Sequence, residues 1–162
     1  MNKIIHLSIA VIATSFLFSC QKMTSENNGP VDFEDAIFKK YCLSEFDKDG
    51  DGEISKEEAA SVEYINIEGH LHEEHKAISS LKGIERFTYL KGLSVYQTRI
   101  SSLDISNNTQ LETLCLGWNQ LTSLDVSKNS QLTVLQCSGN KITSLDISNN
   151  TQLESLECEE NQ

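Results

Sequence analysis

Apolar and polar positions alternate along residues 78–162 in a unit that returns every 21 residues. ISSLDISNNTQLETLCLGWNQ (100–120) is followed by LTSLDVSKNSQLTVLQCSGNK (121–141) and ITSLDISNNTQLESLECEENQ (142–162), and a looser copy, ISSLKGIERFTYLKGLSVYQTR (78–99), precedes them with one residue more. Within each copy the apolar positions read Leu-x-x-Leu-x-Leu. The alternating part predicts a short strand that points every second side chain inward. A fixed period predicts coils stacked so that these strands form a parallel sheet over one continuous core. The inward set is Leu90, Leu93, Val95 and Ile100, then Leu111, Leu114, Leu116 and Leu121, then Leu132, Leu135, Cys137 and Ile142, and last Leu153, Leu156 and Cys158. Asn119, Asn140 and Asn161 recur where each coil turns, with Thr98 in that place in the looser copy, and an asparagine there can bond the backbone of its own turn.

The same apolar unit occurs once more upstream. Val62, Ile65 and Ile67 in VEYINIEG lie 28 residues before Leu90, which predicts a cap strand at 62–67, with the surplus residues falling in GHLHEEHKA (69–77). Further upstream, Phe33, Ile37, Tyr41 and Cys42 share helical spacing within 32–46, and SKEEAA from Ser55 reads as the start of a second, short helix with Ser55 as N-cap.

Between those helices runs DKDGDGEISKEE, residues 47–58. A calcium loop of the EF-hand kind needs oxygens at positions 1, 3, 5, 7, 9 and 12 and glycine at 6. Asp47, Asp49 and Asp51 fill the first three, and Gly52 supplies the turn. Glu53 offers its backbone carbonyl, Ser55 acts through water, and Glu58 can bind with both oxygens. Ile54 is the apolar anchor of the loop. Dockerin modules use similar loops in duplicate, whereas one loop stands here. The expected fold is therefore an α/β-type repeat solenoid, its N-terminal end capped by a helix-loop-helix calcium hairpin over 32–61, with the repeat region spanning 62–162.

The repeats match the leucine-rich-repeat pattern, and LDVSKNSQLTVLQCSGN resembles the short repeats of internalin-type bacterial surface proteins. The resemblance implies a concave sheet that faces a protein or glycan partner. Outward positions on that sheet include Gly92, Ser94, Tyr96, Thr113, Cys115, Gly117, Val134, Gln136, Ser138, Ser155, Glu157 and Glu159, with Trp118 just beyond its strand. Tyr96, Thr113, Cys115, Trp118, Gln136 and Glu157 are the candidate ligand-facing residues. For the two aromatics, a contact role and simple packing over strand ends both remain open. Cys137 and Cys158 read as small hydrophobes inside the stack rather than as a disulfide, and Cys115 as the accessible thiol. Glu154, Glu157, Glu159 and Glu160 surround the last strand, so the final copy reads either as its own cap or as part of a longer array.

Residues 1–19 carry Lys3, an apolar run and Ser19 before Cys20, the layout of a secretory signal. Leu17-Phe18-Ser19-Cys20 resembles the lipobox of bacterial lipoproteins, which implies cleavage before Cys20, its lipidation, and a polar tether over 20–31. Gln21 after the cysteine, by resemblance to the lipoprotein sorting rule, points to the outer membrane or cell surface. The formal charge of −11 repels phosphate backbones and argues against a nucleic-acid partner. His70, His72 and His75, beside Glu73 and Glu74, are a candidate transition-metal cluster or a solvated loop. No nucleophile elbow, phosphate loop or HExxH sequence occurs, so the expectation is a binding protein rather than an enzyme. Calcium is expected to be mainly structural, with a calcium-responsive regulatory lipoprotein as the alternative.

Overall fold

The Leu-x-Leu units form the strands they predict. In the computed structural model, which describes residues 29–162, five of them make one parallel sheet in chain order: β1 (Tyr64–Glu68), β2 (Gly92–Tyr96), β3 (Thr113–Cys115), β4 (Val134–Gln136) and β5 (Ser155–Glu157). The expected signal segment, Cys20 and the tether up to residue 28 lie outside the described residues. Register is set by the repeat: Ile65, Leu93, Leu114, Leu135 and Leu156 stand side by side in one inward row. Between strands each coil returns through tight turns, such as Asn108 N–H to the Ile105 carbonyl and Leu111 N–H to the Asn108 carbonyl. Among the described residues the α-helices lie in the N-terminal hairpin, and the repeats are strand and turn, with a short 3-10 helix at Ile84–Arg86 in the looser copy.

Two asparagine ladders tie the coils together. Asn119 receives the N–H and hydroxyl of Thr98 on its Oδ1 and donates its amide to the carbonyls of Val95 and Leu116. Asn140 and Asn161 donate in the same pattern one and two coils on, and their Oδ1 atoms accept the N–H groups of Leu121 and Ile142. The second ladder, Asn108, Asn129 and Asn150, was not anticipated from the sequence. Each amide donates to two carbonyls of the preceding coil, as Asn129 does to Ile105 and Asn108. These buried amides give the returning backbone the partners that neighbouring strands give one another.

The hairpin covers the β1 end. Helix α1 (Ala36–Phe46) begins later than the apolar spacing suggested, because Asp35 caps it by accepting the N–H groups of Ile37 and Phe38. Phe33 thus precedes the helix and packs edge-on against Phe38, with ring centroids 5.4 Å apart. The other oxygen of Asp35 accepts the N–H and hydroxyl of Ser79, stitching the helix start to the first full coil. Tyr41 closes the open edge of β1, since its hydroxyl donates to the Asn66 carbonyl and accepts the Asn66 N–H. Phe46 lies edge-on to Phe87 of the first coil. Val31, placed at the end of the tether by sequence, is already buried, and its N–H bonds the Ile54 carbonyl.

Candidate functional site

The acidic loop is organised by its own backbone. Gly50 and Gly52 adopt left-handed conformations, φ +74° and +84°, which bring their N–H groups onto the two oxygens of Asp47 at 2.7 and 3.0 Å. Asp49 and Asp51 each accept an N–H two residues on, the local turn that short carboxylates favour. The second helix, α2 (Lys56–Ala60), opens with a capping box: the Ser55 hydroxyl oxygen accepts the Glu58 N–H, and the Glu58 carboxylate accepts the Ser55 N–H. Glu58 also receives the Ser55 hydroxyl and the N–H of Lys48. The N–H groups of Ser55 and Lys48 and that hydroxyl hold its carboxyl at about 2, well below the ordinary 4.5.

Of the six expected ligands, three converge. Asp47, Asp49 and Glu58 each place one oxygen within 4.8 Å of the others. Oxygens around one calcium ion bound at about 2.3–2.6 Å lie no more than about 5 Å apart, so this trio is close enough to share one, and a set made only of carboxylates suits a hard cation. Asp51 is exposed and outside this trio, and Ser55 is engaged with Glu58. The residues present therefore fit calcium. Ile54 has no exposed surface and anchors the loop in the core of the stack.

The histidines are divided. His70 pairs with Glu68 at 3.2 Å and lies edge-on to Tyr96. His72 and His75 sit with ring centroids 4.8 Å apart, and His75 also meets Tyr41. These two, with Glu45, Glu68 and Glu74, line a cleft of about 420 Å³ between α1 and the insertion. Burial, followed by the nearby His72, lowers the pKa of His75 below 6.5. Among the described residues, no three metal-ligating atoms gather there as they do in the loop.

On the sheet face, register lines up Asn66, Ser94, Cys115, Gln136 and Glu157 in one row and places Thr113 in the row of Tyr64 and Gly92. Four of the expected residues, Thr113, Cys115, Gln136 and Glu157, thus share the open face of the strands, while Tyr96 ends β2 and Trp118 follows β3. The aromatics have a relation to the glycines that the sequence did not reveal. A Cβ on Gly92 would stand 2.8 Å from the Tyr64 ring, one on Gly117 2.7 Å from Tyr96, and one on Gly139 2.9 Å from Trp118. Each ring therefore lies on a glycine of the next coil. Gly92 and Gly117, outward-facing by their place in the repeat, are buried beneath these rings. Tyr96 is half-buried, whereas Tyr64 and Trp118 keep 64% and 48% of their surface exposed.

The thiols depart from expectation in one place. Cys137 is buried, and that burial, with Cys158 and Glu159 adding, pushes its pKa up to about 11. Cys158 holds the equivalent inward position but is exposed, because among the described residues no coil lies over β5. Cys115 is only half-exposed, and burial followed by the charge of Glu157 raises its pKa. Cys158, rather than Cys115, is the more accessible thiol.

No known family's sequence profile matches the chain, and no curated protein matches it. Two solved structures from Listeria monocytogenes are similar. One is the functional domain of InlJ, described as including a cysteine ladder: it is 37% identical with a TM-score of 0.62, and the match covers 67% of this chain and 23% of that one. The other is the internalin InlF, 21% identical with a TM-score of 0.68, matched over 83% of this chain and 46% of that one. The chain therefore spans less than half the length of either. With the five-stranded parallel stack, these likenesses make this a leucine-rich-repeat fold.

Proposed function

We propose that this chain is a lipid-anchored interaction module of the bacterial envelope, whose open sheet face holds a protein or glycan partner and whose hairpin binds calcium as a structural ion. The observation that carries the binding role is the sheet face itself, where Trp118 and Tyr64 stay exposed beside polar strand positions. Large aromatics left in water next to polar neighbours are what interfaces use as anchors. The likeness to internalin-type structures supports the same role by analogy of fold.

Calcium would be held by Asp47, Asp49, Asp51, the Glu53 carbonyl, Ser55 through water, and Glu58. Its chemistry there is to neutralise a dense set of carboxylates and join the two ends of the loop. The chain's own contacts favour a structural over a switching role. Asp35, Tyr41 and Phe46 already fasten the hairpin to the first coils through hydrogen bonds and ring packing. Cys20 would carry the lipid, placing the domain on the envelope surface by way of the tether.

Calorimetry with calcium, paired with thermal melts in calcium and in EDTA, tests the metal. The expected dissociation constant lies at about 10⁻⁴–10⁻³ M, as for extracellular modules. An unchanged melting curve and no heat of binding would remove calcium from this reading. An apolar dye that binds only the calcium-loaded protein would instead favour the regulatory alternative. Loss of membrane association in Cys20→Ser tests the anchor.

A further inference from the structure

We propose that the sheet face is selective for cationic protein segments, reading arginine or lysine side chains through its aromatic platforms and an opposing bank of carboxylates. The inference rests on the binding-face reading above and names its class of partner.

The face is polarised along the stack. Its first three coils present Tyr64, Tyr96 and Trp118, each ring laid on a glycine, with Tyr64 and Trp118 exposed and Tyr96 half-buried against His70. Its last coil presents Glu157, Glu159 and Glu160, all exposed. Among the described residues no lysine, arginine or histidine forms an ion pair with these three carboxylates. The outward positions of the five strands carry no basic side chain.

Trp118 stands at φ +58°, and the equivalent places in the other coils, Gln97, Gly139 and Glu160, hold φ +55°, +70° and +55°. The left-handed turn therefore belongs to every coil and does not single out Trp118. What Trp118 adds is a half-exposed indole against Gly139 at the edge of the sheet.

The ligand class follows from charge. A flat indole accepts either a sugar ring or a guanidinium, but a neutral sugar leaves the carboxylate bank without counter-charge. Acidic glycans and nucleic acids are repelled by it and by the net charge of −11. Arginine satisfies both halves, stacking on Trp118 and pairing with carboxylates. From Trp118 to Glu160 is a step of two coils, about 10 Å, the length of about three residues of extended chain.

The test uses the full chain in calcium and a blocked nine-residue peptide with arginine at every third position. Its citrulline and glutamate counterparts and a neutral oligosaccharide, chitohexaose, serve as comparisons. The expected result is binding of the arginine peptide that weakens with salt and is lost in the citrulline form. Trp118→Gly, which relieves the backbone and so folds, should weaken it about fivefold. The pair Glu157→Gln and Glu159→Gln should weaken it roughly three- to tenfold. The pair Asp125→Asn and Asp146→Asn, an equal change of charge in the return turns, should leave it within a factor of about two. If that second pair weakens binding as much as the first, the attraction is generic and the proposal falls. Chitohexaose binding that depends on Trp118 and ignores salt keeps the face but overturns its class. Binding of every probe unchanged in Trp118→Gly removes the face itself.

Discussion

The two ends of the stack are built from the same repeat and meet opposite fates. Ile65 and Leu156 are the first and last members of one inward row, separated by Leu93, Leu114 and Leu135. Ile65 is 1% exposed and Leu156 40%. The three residues between them are buried as deeply as Ile65. What differs is cover. The hairpin lies over β1, with Phe38 and Cys42 of α1 fully buried and Tyr41 occupying the free edge at Asn66. At β5 the glutamates supply charge but no apolar cover, and a cleft beside Cys137 and Cys158 stays open. Period alone therefore does not bury a side chain in a solenoid; each inward position needs a neighbour on both sides.

The largest expected effect breaks this symmetry directly. Ile65→Ala should destabilise by about 3 kcal/mol, as for a buried branched aliphatic in a packed core. Leu156→Ala, its counterpart at the open end, should cost about 1 kcal/mol because much of its surface is already in water. Urea denaturation of the two variants makes the comparison. Equal losses would mean that Leu156 is covered in solution.

Calcium should act at one end only. With free calcium at about one hundred times its dissociation constant, the proposed ion adds about 2.7 kcal/mol, and EDTA removes it. Because the hairpin is the cover over β1, hydrogen exchange should then rise in α1 and at Ile65 and Ile67 but not at Leu135. Uniform acceleration along the whole stack would show that the hairpin and the coils unfold as one unit.

The contrast also explains what could be read from the chain in advance. The coils were legible because Leu-x-x-Leu-x-Leu fixes which side chains point inward, and the convergence of Asp47, Asp49 and Glu58 because carboxylates recur at fixed places around a turn of glycines. The start of α1 was not. Asp32 and Asp35 both precede the apolar run, and Asp35 is the one that caps, accepting the N–H groups of Ile37 and Phe38 while Ser79 bonds its other oxygen. The ladder of Asn108, Asn129 and Asn150 was visible as a period but not as burial, because an asparagine in a turn is usually wet. Likewise Gly92, Gly117 and Gly139 announce space, while the identity of the ring filling each space depends on the next coil. Cys158 shows the converse: its phase in the repeat was right and its exposure was not, since phase says nothing of what lies above.

The asparagine ladders offer a finer measurement of the same asymmetry. Asn129 is fully buried and its amide donates to two carbonyls, so Asn129→Ala strands both and should cost roughly 1–3 kcal/mol. Asn161, in the other ladder, accepts the Ile142 N–H and donates to the carbonyls of Cys137, Cys158 and Glu159 at the open end, where Cys158 and Glu159 are exposed. Asn161→Ala should cost less, about 0.5–1.5 kcal/mol, the ordinary net value of a hydrogen bond. A loss at Asn161 as large as that at Asn129 would again place cover over β5.

The smallest effect concerns the seam between hairpin and stack. Partial burial pushes the Asp35 carboxyl upward, but the N–H of Ser79, the N–H of Phe38, the Ser79 hydroxyl and the N–H of Ile37 outweigh it and leave it below the ordinary 3.8. A carboxylate depressed in the folded state adds stability that is present above its unfolded pKa and is lost as pH falls through its folded one. Asp35→Ala should therefore cost about 1 kcal/mol at neutral pH, the usual value of a helix N-cap. Measured in EDTA, so that calcium ligation does not titrate with it, the gap between variant and parent should close as pH falls below 3.8. Asp104, Asp125 and Asp146 are depressed in the same sense by Ser106, Ser127 and Ser148, but they sit in the turns of the repeats and titrate alike in both proteins. A gap that persists at low pH would mean that Asp35 holds the seam by shape and capping geometry in its neutral form, and that charge contributes nothing to fastening the hairpin over β1.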